Sequence, residues 1–403
     1  MANEVLKRYF AQSAPDFDRE RKAALVWSCL CEPQDRLARR ITEEKGFFAA
    51  LKAVDAAAKQ SASEAGRPNP AHRGSIGSEI RHSWCARLLR WKGFDLSALR
   101  KTGTRFLLPS DPCWPQGLLY LGDTAPLSLW VKGNADVLKN PVISAVGSRD
   151  TTESGRRTAL DFSYALAPGY VLCSGGAMGI DACVHRAALL HKRPTVVVSA
   201  GGVDRAYPRT HASLFREIEQ CGGAVVSESP WGSAPQRHRF LSRNRIIAAL
   251  GKGTVVFQAG IRSGALNTAH HAMSIGREVG AVPGGVDTVQ FAGCNSLIRE
   301  GATLITSVRD IYEMVEPLCK TVRCGGEGDL FFQSCATRPE DTRRDFDALA
   351  QRVFDAVPLR KACDVQTIAA TAGTDIADTL IKLSKLQIRG RVRECDGLWK
   401  KQT

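Results

Sequence analysis

Three arginines and one aromatic ring crowd the start of an apolar helix pattern. Arg239 and Phe240 precede Arg243 and Arg245 in a run that continues into two isoleucines. An aromatic ring can stack on a nucleic-acid base while neighbouring guanidinium groups hold the phosphates. The same composition also suits a solvated basic helix face with Phe240 in the core. Taken alone, the run leaves these two interpretations equally open.

Six short apolar runs in the middle of the chain predict β-strands. They lie at residues 142–146, 170–173, 195–199, 224–227, 254–257 and 278–282. Longer stretches with helical spacing separate most of them. This alternation predicts a parallel sheet with helices on both faces, because strands covered on both sides are continuously apolar.

Glycine turns follow five of these predicted strands. Ligands of an open parallel sheet bind beyond the carboxyl ends of the strands, so these loops form the candidate ligand edge. Glycine lets the backbone approach a phosphate, and the next helix adds its positive end. Glycine is also needed simply to reverse the chain, so one such turn is weak evidence and five together are stronger. The candidate residues of these turns are Gly147, Ser148, Ser174, Gly175, Ser263 and Gly264.

Positively charged side chains occur in or near the same loops. A phosphate backbone is a ligand that needs several separated cations, although the chain has 55 basic residues and some fall there by chance. The candidate DNA-binding side chains are Arg149, Arg209, Arg237, Phe240, Arg243, Asn244, Arg245 and Arg262.

The usual nucleotide-binding fingerprints are missing from the sequence. There is no Walker motif, and the turn from Gly175 to Gly179 is not a clean dinucleotide fingerprint. This argues against an ATPase or a dehydrogenase, and we expect no cofactor. Asp181 and His185, four residues apart on a predicted helix, could supply acid/base chemistry. We favour a structural role for Asp181 and His185, and we expect that the protein is not an enzyme.

The overall composition points to a polyanionic partner. The formal net charge is +14, which favours nucleic acid first and an anionic membrane second. No apolar run is long enough for a membrane span, and the first 18 residues lack the apolar stretch of a secretory signal. The thirteen cysteines are scattered and lack the spacing of a zinc site, so we expect no metal site. We predict that they are reduced thiols and that the protein is cytoplasmic.

Four parts follow one another along the chain. Residues 1–135 are predicted to be mostly helical, with helical spacing at 23–30, 47–58 and 84–91. Residues 136–316 form the predicted Rossmann-like core, and residues 317–344 form a linker. Residues 345–403 predict three helices (346–357, 365–372 and 375–386) and a hairpin of strands 388–394 and 398–400 around Asp396-Gly397. The predicted fold is therefore α/β, with a Rossmann-like parallel sheet, a helical N-terminal region and a C-terminal winged-helix-like domain.

Several ordered blocks in this chain resemble the DNA-processing protein A family, also called DprA or Smf. The resemblance covers residues 110–308, and the run from Phe240 to Ile247 is among its blocks. The others include residues 145–149, 174–189, 207–208, 263–266, 281–284 and 295–302. Cys183, Val184 and Gly285 depart from the usual pattern, but they are not among the candidate binding residues.

The resemblance implies a core that binds single-stranded DNA, protects incoming DNA and helps to load the RecA recombinase during natural transformation. It also implies a homodimer. The family's phosphate-binding basic positions fall on Arg149, Arg209 and Arg237, and its base-stacking aromatic residue falls on Phe240.

Two other interpretations stay open at this point. A phosphoribohydrolase-like enzyme acting on nucleoside monophosphates is suggested by the turn that begins at Pro283, but Asp287 replaces a glycine of that enzyme class. Gln290 also lies where a catalytic glutamate is needed. A transcription factor that uses the C-terminal basic residues is the other alternative. Those residues are Lys382, Lys385, Arg389, Arg391 and Arg393.

Overall fold

The computed structural model of the chain describes residues 4–14, 16–63, 80–316, 353–358, 362–388, 391–395 and 397–401. The chain divides into two compact units, Met1–Val322 and Arg323–Thr403. Among the described residues, no helix is both long and apolar enough to cross a membrane. The boundaries predicted at residues 135, 316 and 344 stay predictions.

Six helices form the beginning of the first unit. They are α1 (Glu4–Ala11), α2 (Arg19–Leu30), α3 (Arg36–Lys45), α4 (Phe47–Ser63), α5 (His82–Arg90) and α6 (Leu96–Lys101). Asp18 and Asp35 cap α2 and α3 by accepting backbone N–H bonds from Arg21 and Ala38. Trp27 of α2 and Trp84 of α5 meet edge to face, with 5.1 Å between ring centroids. The three predicted helices of this region are confirmed, because α2, α4 and α5 cover their positions.

One nine-stranded sheet organises the rest of this unit. Its strands are β1 (Thr104–Leu107), β2 (Leu129–Gly133), β3 (Val142–Gly147), β4 (Val171–Ser174), β5 (Thr195–Val198), β6 (Ala224–Ser227), β7 (Gly253–Gln258), β8 (Glu278–Ala281) and β9 (Thr303–Leu304). Their order is β1-β2-β6-β5-β4-β3-β7-β8-β9. The six predicted strands are β3 to β8 and are confirmed. The sequence analysis missed β9 and the two antiparallel strands β1 and β2, which pair with each other and, through β2, with β6.

Helices cover both faces of the parallel part of the sheet. They are α7 (Glu153–Leu166), α8 (Ile180–Leu190), α9 (Ala212–Gln220), α10 (Arg237–Leu250), α11 (Gly264–Ser274), α12 (Ala292–Arg299) and α13 (Val308–Val315). Alternate residues of β3 point to opposite faces. Val146 belongs to the core shared with Ile247 of α10, whereas Ile143 belongs to the core shared with Val184 of α8. The predicted Rossmann-like α/β fold is therefore confirmed.

The chain changes direction across the sheet at β3. It proceeds from β3 through β4 and β5 to β6 on one side, then returns to place β7 on the other side of β3. The loops that follow β3 and β7 therefore diverge, which opens a crevice at the carboxyl ends of these two strands.

The second unit contains two described helices and a small antiparallel sheet. They are α14 (Val365–Ala372), α15 (Ile376–Ile388), β10 (Cys363–Asp364), β11 (Val392–Cys395) and β12 (Leu398–Lys401), and the strand order is β10-β12-β11. Ile368, Leu383 and Trp399 are in its core. The two later predicted helices and the hairpin are confirmed, except that α15 extends to Ile388 and the hairpin starts at Val392. Most of the predicted helix at 346–357 and the whole predicted linker lie outside the described residues, and the winged-helix assignment stays a prediction.

Candidate nucleic-acid interface

A cleft of about 1000 Å³ lies at the crevice between the loops after β3 and β7. We call it the cationic cleft. Of the fourteen sequence-predicted site residues, ten line it: Gly147, Ser148, Arg149, Arg237, Phe240, Arg243, Asn244, Arg262, Ser263 and Gly264. The fold thus brings together residues that are more than one hundred positions apart in the sequence.

Close backbone packing fixes the loop that carries Arg149. A Cβ on Gly147 would lie 2.5 Å from a side-chain carbon of Ile180, so only glycine fits there. The Ser148 N–H donates to the Gln258 carbonyl over 2.7 Å, and the Ser148 carbonyl accepts from the Ile180 N–H over 3.2 Å. The loop after β3 is therefore tied to β7 and to the start of α8, and Arg149 projects from a fixed backbone.

The cleft presents three arginine side chains that form no ion pair with the described residues. Arg149, Arg237 and Arg262 are exposed, and no carboxylate among the described residues lies within ion-pairing distance of them. The amino ends of α10 and α11 also face the cleft, and each adds the partial positive charge of a helix dipole. Two carboxylates, Asp150 and Asp181, share the lining. The arrangement favours a ligand with several separated negative charges.

Phe240 lies at the centre of a small aromatic and cationic cluster. The Arg149 Cζ is 5.3 Å from the Phe240 ring centroid, and the Arg243 Cζ is 5.9 Å from it. The Tyr207 ring is tilted by 57° against Phe240, with 5.4 Å between centroids. Phe240 is half-buried, so part of its ring stays accessible in the cleft. Guanidinium groups at these distances attract the ring face electrostatically.

Arg243 forms part of the floor of the cleft. Its side chain is buried, and Nη1 donates to the Val198 carbonyl. A Cβ on Gly175 would lie 2.2 Å from that Nη1, so Gly175 makes room for the guanidinium. Burial lowers the pKa of Arg243, and the nearby Asp181 carboxylate counteracts this. Burial likewise raises the pKa of Asp181, which Arg243 opposes, and Asp181 accepts the Ala177 N–H over 3.2 Å.

Four of the predicted site residues do not line the cleft: Ser174, Gly175, Arg209 and Arg245. Arg245 is fully buried, and its three nitrogens bond to the Thr124 and Ser242 carbonyls and to the Glu228 carboxylate. The Ser174 hydroxyl donates to the Ala145 carbonyl. Arg209 is exposed at the start of a short 3-10 turn. The structure therefore gives Arg245 and Ser174 partners within the fold.

Asn244 both lines the cleft and forms hydrogen bonds within the fold. Its amide nitrogen donates to the Gly264 carbonyl over 3.2 Å and to the Asn267 side-chain oxygen over 3.1 Å. Asn244 thereby links α10 to the start of α11, although it also lines the cleft. This explains how the loop of Ser263 and Gly264 is held against the helix that carries Phe240.

Five exposed residues of the cleft are not among the predicted site residues: Asp150, Tyr207, Leu241, Ile261 and Val289. The four that are apolar or aromatic, Tyr207, Leu241, Ile261 and Val289, expose 46%, 51%, 71% and 74% of their surface. Tyr207 lies in the family-like block at residues 207–208, so an aromatic residue there was an available signal. Ile261 lies beside Arg262 and gave no signal, because an isolated isoleucine in a loop is ordinary.

Asp181 and His185 do not form an acid/base pair in this structure. The Thr195 hydroxyl donates to the Leu172 carbonyl, so His185 Nδ1 must donate to the Thr195 oxygen over 2.8 Å. Burial, with repulsion from His211 and Arg243, lowers the pKa of His185 to about 3, so the ring is neutral. The structural interpretation of both residues is therefore favoured. The described residues contain no group of three metal-ligating side chains, and nine of the cysteines among them are free.

The chain is thus a Rossmann-like α/β protein whose cationic cleft lies at the switch point of the sheet, where ligands of such folds bind. The model of the DNA recombination-mediator protein A family matches residues 105–316. The chain belongs to this family, as the sequence blocks predicted.

Known relatives agree with this assignment. A Mycobacterium tuberculosis protein named for DNA processing is 37% identical in an alignment of 342 residues that covers 81% of this chain and 85% of the relative. Protein Smf of Escherichia coli is 33% identical and covers 72% of this chain and 76% of its own length. The crystal structure of DNA processing protein A from Streptococcus pneumoniae superposes with a TM-score of 0.58 at 32% identity, covering 74% of this chain and 99% of that one.

Proposed function

We propose that this chain binds single-stranded DNA in the cationic cleft, as a binding protein and not as an enzyme. The observation that carries the proposal is the position of the Arg149 guanidinium, 5.3 Å from the Phe240 ring centroid, in a cleft that also presents Arg237 and Arg262. This combination offers a stacking surface for a base and cations for the phosphates on either side of it.

The two kinds of contact contribute differently to affinity. Each phosphate held by an arginine releases counterions, so affinity falls with salt by roughly 0.7 log units per phosphate for each tenfold rise in salt. Stacking on Phe240 adds about 1–3 kcal/mol per base and depends little on which base is present. We therefore expect binding that is sensitive to salt and tolerant of sequence.

The half-buried position of Phe240 supports a preference for single strands. A base inside a duplex stacks on its neighbours and cannot offer its face to a protein ring unless it is extruded, at a cost of a few kcal/mol. A single strand already has bases that can turn into the cleft. The proposed ligand is therefore single-stranded DNA, with duplex DNA bound more weakly through its phosphates alone.

The finer biological role is proposed on the basis of family membership. The family description, DNA recombination-mediator, supports a protein that passes a bound strand to a recombinase. We infer that the partner is RecA, that the strand is incoming DNA protected during natural transformation, and that the protein works in the cytoplasm as a homodimer. Co-purification with RecA and sedimentation of the purified chain would test the two partner proposals separately.

A salt titration tests the central proposal. Labelled single- and double-stranded oligonucleotides of equal length are titrated with the full chain at several salt concentrations. We expect tighter binding to the single strand, a linear decrease of log affinity with log salt, and similar affinities for unrelated sequences. Equal affinity for both forms of DNA would contradict the role of Phe240 in stacking.

The phosphoribohydrolase-like alternative lacks support from the residues at the relevant turn. Asp287 is exposed, and Gln290 still stands where that chemistry needs a glutamate. A glutamine amide carries no charge to stabilise an oxocarbenium ion and has no basic pKa to accept a proton. Incubation with each nucleoside monophosphate and chromatography for released base tests this activity, and release at enzymatic rates would replace the binding proposal.

We propose that the C-terminal unit is not needed for single-strand binding by the cleft and does not by itself define the function. Its described basic side chains include Lys382, Arg391 and Arg393, and the Arg391 guanidinium lies 4.7 Å from the Phe354 ring centroid. Replacing Lys382 and Arg393 by serine in the full chain should leave single-strand affinity unchanged within twofold. A large loss of duplex affinity alone would instead favour the transcription-factor interpretation.

A further inference from the structure

The amino end of α10 is an unfavourable place for a helix to start. Its first three residues are Arg237, His238 and Arg239, and it has no acidic residue in its first turn. The N-cap, Gln236, makes no side-chain capping bond. Positive side chains at the amino end of a helix oppose the helix dipole, and an uncapped end leaves N–H groups without partners.

A carboxylate from a distant part of the chain supplies the negative charge that this helix end lacks. Glu32 lies just after α2, more than two hundred positions before α10. Arg239 donates to both of its oxygens, from Nε over 3.1 Å to Oε2 and from Nη2 over 3.1 Å to Oε1. His238 Nε2 lies 3.3 Å from Oε2. The two basic residues that face away from the cleft therefore converge on one carboxylate.

The N-terminal helices hold Glu32 in place. Arg87 of α5 donates from Nη2 to Glu32 Oε1 over 2.8 Å and from Nη1 to the Leu30 carbonyl over 2.9 Å. Arg239 also donates to the Ala234 carbonyl, and its side chain is only 13% exposed. Burial alone would raise the pKa of Glu32, but the hydrogen bonds from Arg239 and His238 outweigh it and keep the pKa low, so the carboxylate is charged.

Residues of the same helix turn point in two directions. His238 and Arg239 contact Glu32, whereas Arg237 and Phe240 line the cationic cleft. All four residues share the backbone of one helical turn. A contact that fixes His238 and Arg239 therefore also fixes Arg237 and Phe240.

We propose that Glu32 and Arg239 are positioning residues, through which the N-terminal helical region sets the affinity of the cleft for single-stranded DNA. This inference rests on the proposed function. Glu32 holds the first turn of α10, and the turn presents Arg237 and Phe240 to the strand. The N-terminal region thus acts on the cleft without touching the DNA.

The direction of the change in DNA affinity distinguishes a positioning role of Glu32 from a simple effect of its charge. Removing a negative charge from a protein ordinarily strengthens its binding to a polyanion. If Glu32 positions the turn, the substitution Glu32→Gln instead weakens binding, by about three- to tenfold as expected for residues in one hydrogen-bond network. Arg239→Gln should weaken binding by a similar factor, and the double variant should be no weaker than either single variant.

A matched control removes a carboxylate that is paired elsewhere. Glu219 of α9 pairs with Lys132 of β2 over 3.1 Å and is, like Glu32, partly exposed. Glu219→Gln should leave single-strand affinity unchanged or slightly raised. The same titrations in a background that carries both Arg237→Ala and Phe240→Ala, at lower salt so that binding stays measurable, show whether Glu32 acts through these two residues. We expect the effect of Glu32→Gln to fall below twofold there.

Hydrogen exchange provides a measurement that does not depend on DNA. The amides of residues 238–241 should exchange faster in Glu32→Gln than in the unaltered chain or in Glu219→Gln. Equal or tighter DNA binding by Glu32→Gln, or an equal loss in the background that lacks both Arg237 and Phe240, would overturn the positioning role while leaving the proposed function intact. If the unaltered chain binds no single-stranded DNA, the proposed function fails, and unchanged exchange at residues 238–241 would then reject the structural link as well.

Discussion

The guanidinium of Arg149 covers a face of the Phe240 ring, with 5.3 Å between Cζ and the ring centroid. One residue follows β3 and the other lies in the first turn of α10, so the sheet brings them together. A base that stacks on this face takes the place of the guanidinium, which is then available to a phosphate. Arg149 and Phe240 should therefore contribute to binding in separable ways.

Arg149→Ala should lower single-strand affinity equally for unrelated sequences and flatten the salt dependence by roughly 0.7 in slope, because one phosphate contact is lost. Fluorescence anisotropy at several salt concentrations measures both quantities. Arg157→Ala is the matched control, since Arg157 is exposed on α7 and does not line the cleft. An unchanged slope in both Arg149→Ala and Arg237→Ala would rule out the cleft as the phosphate site.

Phe240→Ala should weaken binding by about 1–3 kcal/mol with little change in the salt slope, because stacking involves no counterion release. Phe240→Trp should retain most of the affinity, since it keeps an aromatic face. Isothermal titration at two salt concentrations distinguishes the two variants from Arg149→Ala. A loss of equal size in Phe240→Trp and Phe240→Ala would show that the ring serves packing instead of stacking.

Arg245→Met should destabilise the first unit by about 3–5 kcal/mol, because it leaves the Glu228 carboxylate, whose side chain is only 15% exposed, without its partner. The double variant with Glu228→Leu should recover much of this loss. Urea unfolding followed by tryptophan fluorescence measures the change. Arg157→Met is the control, since the exposed pair of Arg157 with Asp161 contributes little. Similar losses in both single variants would contradict the burial argument.

The stability of the first unit should decrease as the pH falls below 6.5. The pKa of His185 is about 3 in the folded chain and about 6.5 when unfolded, so acid protonates the unfolded state first. The contribution of His185 to the free energy of unfolding is fully present above pH 6.5, and it falls by about 2 kcal/mol when the pH reaches 5.

Comparison with His185→Gln isolates this effect from the other titrating groups. The glutamine variant offers an amide to Thr195 and carries no titrating ring, so its stability should change less between pH 7 and pH 5. The raised pKa of Asp181 acts in the opposite direction, but it is present in both proteins and cancels in the difference. Parallel pH profiles for the two proteins would mean that His185 does not stay neutral in the fold.

The parts of the fold that the sequence revealed are those set by local pattern. Continuous apolar runs predicted β3 to β8 because both faces of these strands are covered. The strands β1 and β2 were not predicted because each carries a charged side chain, Arg105 and Lys132, and both are embedded between helical segments. Their positions depend on pairing with each other and with β6, which no local spacing encodes.

The candidate site could likewise be predicted only in the part that the order of strands and loops determines. The loops after parallel strands meet at one edge in any such fold, so Arg149, Arg237 and Phe240 could be placed in one region from sequence. The burial of Arg245 could not be foreseen, because its partners Thr124 and Glu228 come from other segments. Type and spacing alone do not distinguish an arginine that supports a helix from one that meets a ligand.

The ends of the nine-stranded sheet limit how two copies of the chain can associate. At one end β9 contributes only Thr303 and Leu304 to the ladder, and at the other end β1 contributes four residues. So short an outer strand as β9 exposes few unpaired backbone groups to a strand from another molecule. A second copy would gain little by extending the sheet past β9, so we expect the proposed homodimer not to form by pairing of β9 strands.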